Sequence, residues 1–108
     1  MTEGTESDLS FKSKIFHALS TPERLKIVEF LRSGERCVCE IGPHLNQIQP
    51  VVSRHLKILK DAGIVRFRKD GTRRMYAIAD RRIFDVVDAV TPEFAGTLKK
   101  AAVKQAIG

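Results

Sequence analysis

Cys37 and Cys39 are the only thiols in the 108-residue sequence, and Arg36 directly precedes them. Two thiols one residue apart are too few and too close to form the disulfide framework of a secreted mini-protein, so they read as a site. A neighbouring cation and a helix start both lower a thiol's pKa, and the thiolate is the form that attacks and binds metal. Soft thiolates select soft ions. Exposed, acidic thiols also oxidise to sulfenate or disulfide, and a Cys-x-Cys disulfide closes a very tight ring, which favours ready reduction. A plain packing role for both residues stays open beside these two chemistries. His44 is a possible third donor. It shares a helical face with Cys37 but stands about 10 Å away at roughly 1.5 Å per residue, so the two cannot share an ion unless the helix unwinds. The simpler expectation is a surface side chain at His44 and core-edge positions for His17 and His55.

The second constellation is basic. Between Arg54 and Arg74 stand eight bases and two acids, a surplus equal to the formal charge of the whole chain, +6. A pI near 9.7 favours a polyanionic partner, and the clustering sharpens that expectation. Pro50, Ser53, Arg54 and Lys57 recur at i, i+3, i+4, i+7, while Val52, Leu56 and Leu59 hold another face. One face packs and the other is free to read. Gln47, Gln49, Ser53 and Arg54 suit base edges or adjacent phosphates, because Gln pairs with adenine and Arg with guanine, each bidentate contact giving about 1 to 3 kcal/mol of discrimination. Arg66, Arg68, Lys69, Arg73 and Arg74 suit phosphates, which supply affinity and salt dependence without sequence information.

These residues need elements to position them. Phe11, Ile15, Ala18 and Leu19, with Phe16 beside them, predict a first amphipathic helix. Thr21-Pro22-Glu23 predicts a capped start for a central helix that Gly34 stops. A short helix near Val38–Leu45, the turn Asn46-Gln47-Ile48, and a helix from Gln49-Pro50 to Ala62 before Gly63 make a helix-turn-helix. Residues 64–69 and 72–78 are rich in β-formers and flank Asp70-Gly71, the strongest short hairpin signal. Ile83, Phe84, Val87 and Val90 predict another helix, and Phe94, Leu98, Ala101 and Ala102 a last one. The expectation is one domain over 1–108, mainly α with a β-hairpin wing. Residues 1–8 are expected to be flexible, and the terminal helices, about 9–19 and 83–106, to be dimerisation surface. Met1 to Asp8 are polar and acidic, unlike a secretory signal, which suggests a cytoplasmic protein with no membrane contact.

The stretch from Ser53 to Val65, SRHLKILKDAGIV, resembles the recognition helix and wing entry of the ArsR/SmtB family of metal- and metalloid-responsive repressors. The resemblance runs from about Phe16 to Ile78 and includes Leu19 to Ile27, LSTPERLKI. It implies a winged helix-turn-helix homodimer that binds an inverted-repeat operator in double-stranded DNA and releases it on sensing. Ile48 stands where many members carry Ser. Arg36 to Ile41, RCVCEI, is similar to the Cys-Val-Cys-Asp-Leu box of arsenic and cadmium sensors. The resemblance implies As(III) or Cd(II) as effector on Cys37 and Cys39, with no obligatory cofactor. Arsenic sensors with this box often add a third Cys where this chain has Gly42. Zinc and nickel sensors use late-helix His and Asp, whereas no His follows His55 and Asp85 with Asp88 makes a poor site.

No phosphate-cradling glycine loop and no paired-carboxylate pocket is legible, so an enzyme reading would rest on thiol-disulfide chemistry at Cys-x-Cys. Such enzymes usually carry Cys-x-x-Cys after a strand in a β-α-β setting, and neither feature is here. A protein-interaction module that kept the fold without DNA binding is a third class. Oxidation of Cys37 and Cys39 remains the alternative to metal as the regulatory event, and a repressor with no thiol effector is the remaining possibility.

Overall fold

The computed structural model describes the backbone of residues 2–107 and the side chains of residues 8–107. Its elements run α1 (Thr2–Ala18), α2 (Pro22–Phe30), β1 (Arg36–Cys37), α3 (Val38–Leu45), α4 (Gln49–Asp61), β2 (Val65–Asp70), β3 (Arg73–Ile78), α5 (Arg82–Asp88) and α6 (Pro92–Ile107). The flexible leader expected over residues 1–8 falls mostly on side chains outside this description, although the backbone of α1 is helical from Thr2.

Local chemistry accounts for the boundaries. Thr21 caps α2 by accepting a hydrogen bond from the Arg24 N–H at 3.2 Å, and Pro22 fills the first helical position, where no amide donor is needed. A single 3-10 turn, Leu31–Ser33, extends α2, and Gly34 ends it at φ 135, a backbone state that disfavours any other residue. Asn46, at φ 54, closes α3 in the left-handed conformation, which asparagine tolerates and helix ends use. The chain then turns within three residues into α4. Gly42 is buried at this elbow, where an added Cβ would lie 3.4 Å from the Gln47 carbonyl oxygen, so the close approach of α3 to the turn leaves little room.

One core joins these elements. Ile27, Val28 and Leu31 from α2 and its extension, Ile41 from α3, and Val52, Leu56 and Leu59 from α4 are almost wholly buried, with Ala18, Ile64, Tyr76, Ile78 and Phe84 around them. At roughly 1.5 to 3 kcal/mol per fully buried large aliphatic side chain, this cluster is the main stabilising term.

The sheet has three antiparallel strands in the order β1-β3-β2. β2 and β3 pair from Val65↔Ile78 to Asp70↔Arg73, which makes Gly71 and Thr72 the two-residue loop. The turn is therefore one residue later than the Asp70-Gly71 pair expected from sequence. Gly71 takes the first central position with φ 63, as glycine-first hairpin loops require, and Asp70 remains in the ladder. β1 was not expected at all. It pairs Arg36 with Tyr76 and Cys37 with Met75, tying the start of the cysteine motif to the wing's inner strand.

Candidate nucleic-acid interface and thiol site

α4 presents Gln49, Pro50, Arg54 and Lys57 to solvent, half-buries Ser53, and turns Val52, Leu56 and Leu59 into the core. The two faces separate as their spacing requires. Gln47 is exposed in the turn, its amide held by the Gly42 carbonyl at 3.1 Å. Lys57 also bonds Asp61 one turn later at 3.0 Å, a pair open to solvent and hence weak. Ile48 is the N-cap residue of α4 and gives it no side-chain hydrogen bond.

On the wing, Arg66, Arg68, Lys69, Arg73 and Arg74 are all exposed. They are not equivalent. Arg68 donates two hydrogen bonds to the Glu35 carboxylate, at 2.6 and 2.8 Å, which lowers the pKa of Glu35 and raises that of Arg68 through the same contact. Arg66, Lys69, Arg73 and Arg74 make no ion pair among the described residues. Alternation along the strands puts Lys69 and Arg74 on the face of Phe67 and Tyr76, whose rings meet at 5.3 Å. The Lys60 ammonium of α4 sits 5.7 Å from the centre of the Phe67 ring, linking the helix to the base of the wing.

The thiol site lies where β1 becomes α3. Cys37 is buried and serves as N-cap of α3, its sulfur accepting from the Cys39 N–H at 3.0 Å. Glu40 completes a capping box by accepting from the Cys37 N–H at 3.0 Å. That bond, joined by Arg36 at 3.3 Å, holds the Glu40 carboxyl below its ordinary range. The two sulfurs are bonded to each other as a disulfide, with Cα atoms 5.0 Å apart. An open cleft of about 470 Å³ is lined by Cys37, Val38 and Cys39, by Gln49 at the start of α4, and by Thr72, Arg73 and Arg74 at the wing tip.

His44 is not brought to the cysteines. Its ring stacks on Phe30, 3.8 Å between centres and 8° from parallel, while Arg36 covers the same phenyl ring at 4.3 Å. Among the described residues no group of three His, Cys, Asp or Glu converges as a metal site. His17, expected at the core edge, is exposed and contributes its carbonyl; His55 is half-buried. Sequence reasoning gave no role to Arg24, Glu35 or Glu40. The signal for Arg24 was a charged residue inside the apolar arc of α2, and the carboxylates had none beyond Glu40's position three residues after a helix cap.

Residues 21–66, from the cap of α2 to the first wing strand, match the model of a bacterial regulatory protein family, the arsR family. The chain is 40% identical to an arsenical resistance operon repressor of Staphylococcus xylosus, over 65% of this chain and 69% of that protein. The chain belongs to the ArsR family. An uncharacterized HTH-type transcriptional regulator of Methanocaldococcus jannaschii is 44% identical over 72% of this chain and 89% of its own length. Among solved structures, the homodimeric winged helix-turn-helix DNA-binding domain of a possible ArsR-family regulator from Mycobacterium bovis superposes with a TM-score of 0.76. That match is 33% identical and covers 82% of this chain and 85% of the other. The ArsR-family chain is thus a DNA-binding transcriptional regulator of winged helix-turn-helix fold, and the family is not one of enzymes. None of its described helices is long and apolar enough to cross a membrane.

Proposed function

We propose that this ArsR-family chain is a homodimeric repressor that binds an inverted-repeat operator through α4 and the wing, and that the Cys37/Cys39 pair controls its grip. The observation that carries the reading is the shared cleft: the cysteines, Gln49 of α4 and Arg73 and Arg74 of the wing line one space. A change at the sulfurs therefore acts beside both DNA-reading elements, and through the cap of α3 on the helix that supports α4.

The effector is a thiophilic metal or metalloid, arsenite-like or Cd(II), taken by the reduced pair. Two sulfurs suit a soft ion. His44 is committed to Phe30 and Gly42 has no side chain, so an ion held here fills its remaining positions from solution. The relationship to an arsenical resistance repressor supports this class of effector. Oxidation is the second reading, favoured by the disulfide joining the pair: two thiols would lose two electrons and two protons to a peroxide or a disulfide oxidant.

The test follows fluorescence anisotropy of a labelled duplex selected for binding from a random-sequence pool. Reduced protein is titrated with and without an equimolar trivalent arsenical or cadmium, then Cys37→Ser is compared. Release that depends on Cys37 supports the metal(loid) reading. Release by peroxide alone, reversed by a dithiol, supports oxidation. Indifference to all three removes the thiol effector while leaving the DNA-binding assignment intact.

A further inference from the structure

Arg24 is 5% exposed and has no carboxylate partner among the described residues, an arrangement that leaves a buried cation to neutral acceptors. Its Nε donates to the Ala18 carbonyl at 2.7 Å and its Nη2 to the His17 carbonyl at 3.2 Å, with the Ser20 hydroxyl at 3.5 Å. These two carbonyls are among the last of α1, where helix geometry leaves acceptors unused and the helix dipole favours a cation. Its Nη1 meets Nδ1 of His55, on α4, at 3.1 Å. One guanidinium on α2 thus joins the end of α1 to the middle of α4.

An arginine has only donors, so His55 Nδ1 must be the acceptor and the imidazole must be neutral, with its proton on Nε2. We propose that Arg24 and His55 form a positioning joint that transmits the placement of α1 to the reading helix, and that the joint holds only while His55 is uncharged. This rests on α4 being the DNA-reading helix. Protonated His55 would turn a donor toward a donor and set two cations 3.1 Å apart. α4 could then keep its core contacts but not the azimuth that presents Arg54 and Ser53. The charges that face the ring are Arg24 and Glu23 from α2 and Arg54 from its own helix, and the nearby end of α1 contributes carbonyls. Burial, then Arg24, hold His55 below its ordinary pKa of 6.5, and Glu23 opposes them in part.

The joint makes a prediction whose sign separates it from simple electrostatics. Adding a positive charge to a helix on DNA should strengthen binding, because phosphate contacts dominate affinity. The joint requires the reverse. Anisotropy titrations on the pool-selected duplex, at constant ionic strength and with folding followed by circular dichroism, would compare wild type with His55→Asn between about pH 7.5 and pH 5.5. Asn keeps an acceptor near the Nδ1 position and does not titrate. Wild type should lose affinity on acidification, by less than tenfold at about pH 5.5 because the pKa of His55 lies below 6.5, while His55→Asn stays level and both remain folded. Equal pH profiles for the two proteins, or tighter binding by wild type in acid, would overturn the joint. If no duplex is enriched from the pool, the reading of α4 itself fails, a distinct result from a bound duplex with matching profiles.

Discussion

At the N-cap of α4 a short polar side chain would gain most, and Ile48 offers none while remaining 68% exposed. Ile48→Ser should supply the missing acceptor with little loss of burial and stabilise the fold by about 1 kcal/mol, read as a higher Tm. No rise would mean that the three-residue turn holds its amides away from a serine hydroxyl. Glu40 gives the pH-dependent counterpart. The Cys37 N–H, and then Arg36 against an opposing effect of burial, lower its pKa from 4.5, so the folded chain prefers the carboxylate. The stability it contributes is full above about 4.5 and disappears as pH falls through the lowered value. Thermal melts of wild type and Glu40→Gln should therefore differ at neutral pH and converge in acid; a gap that persists would locate the loss elsewhere than in the charge. At this scale the sequence displays residues whose chemistry is rare or clustered, and so the cysteines and the basic stretch were legible. Arg24 was not, because its partners are backbone carbonyls and a histidine 31 positions away, which no local spacing encodes.

At the scale of elements, the wing's cations differ in availability. Glu35 stands just before β1 and holds Arg68 on β2 across the intervening strand, whereas Arg73 and Arg74, beside the loop, make no ion pair among the described residues. Arg74→Ala should weaken DNA binding about equally across sequences and reduce the salt slope by about 1. Glu35→Gln should release Arg68 and steepen that slope, with little stability lost because the pair is exposed. Salt titrations of both variants check this, and an unchanged slope in Arg74→Ala would exclude that residue from the phosphate contacts. The helix-turn-helix and the hairpin were readable because their periods, near 3.6 and 2, persist over enough residues to stand out. β1 spans two residues, too few for any period, and exists because β3 supplies its partner. The hairpin loop moved by one residue for a related reason: Asp70-Gly71 and Gly71-Thr72 are both acceptable turns locally, and the pairing of Val65 with Ile78 in the core selects between them.

For the whole molecule, the governing fact is apolar surface without a cover. Phe11 and Phe16 on α1 are 51% and 56% exposed, Phe94 and Leu98 on α6 are 49% and 51%, and α6 buries none of its described side chains. A 16-residue helix with no fully buried side chain gains little from propensity alone. The second copy of the chain proposed above would cover these faces, place α1 and α6 of both copies in one interface and set the two α4 helices against two operator half-sites. The sequence pattern of these helices announced the stripes, but the partner lies outside any one chain's pattern. Leu98→Glu puts a charge in the middle of the proposed interface while replacing no buried residue of the monomer. Sedimentation should show wild type at twice its 12.1 kDa chain mass and the variant shifted toward a single chain. Operator affinity should fall by about a hundredfold or more, since two linked half-site contacts become one. A variant that stays dimeric with full affinity would move the interface off α6, and a monomeric variant with full affinity would sever dimerisation from DNA reading altogether.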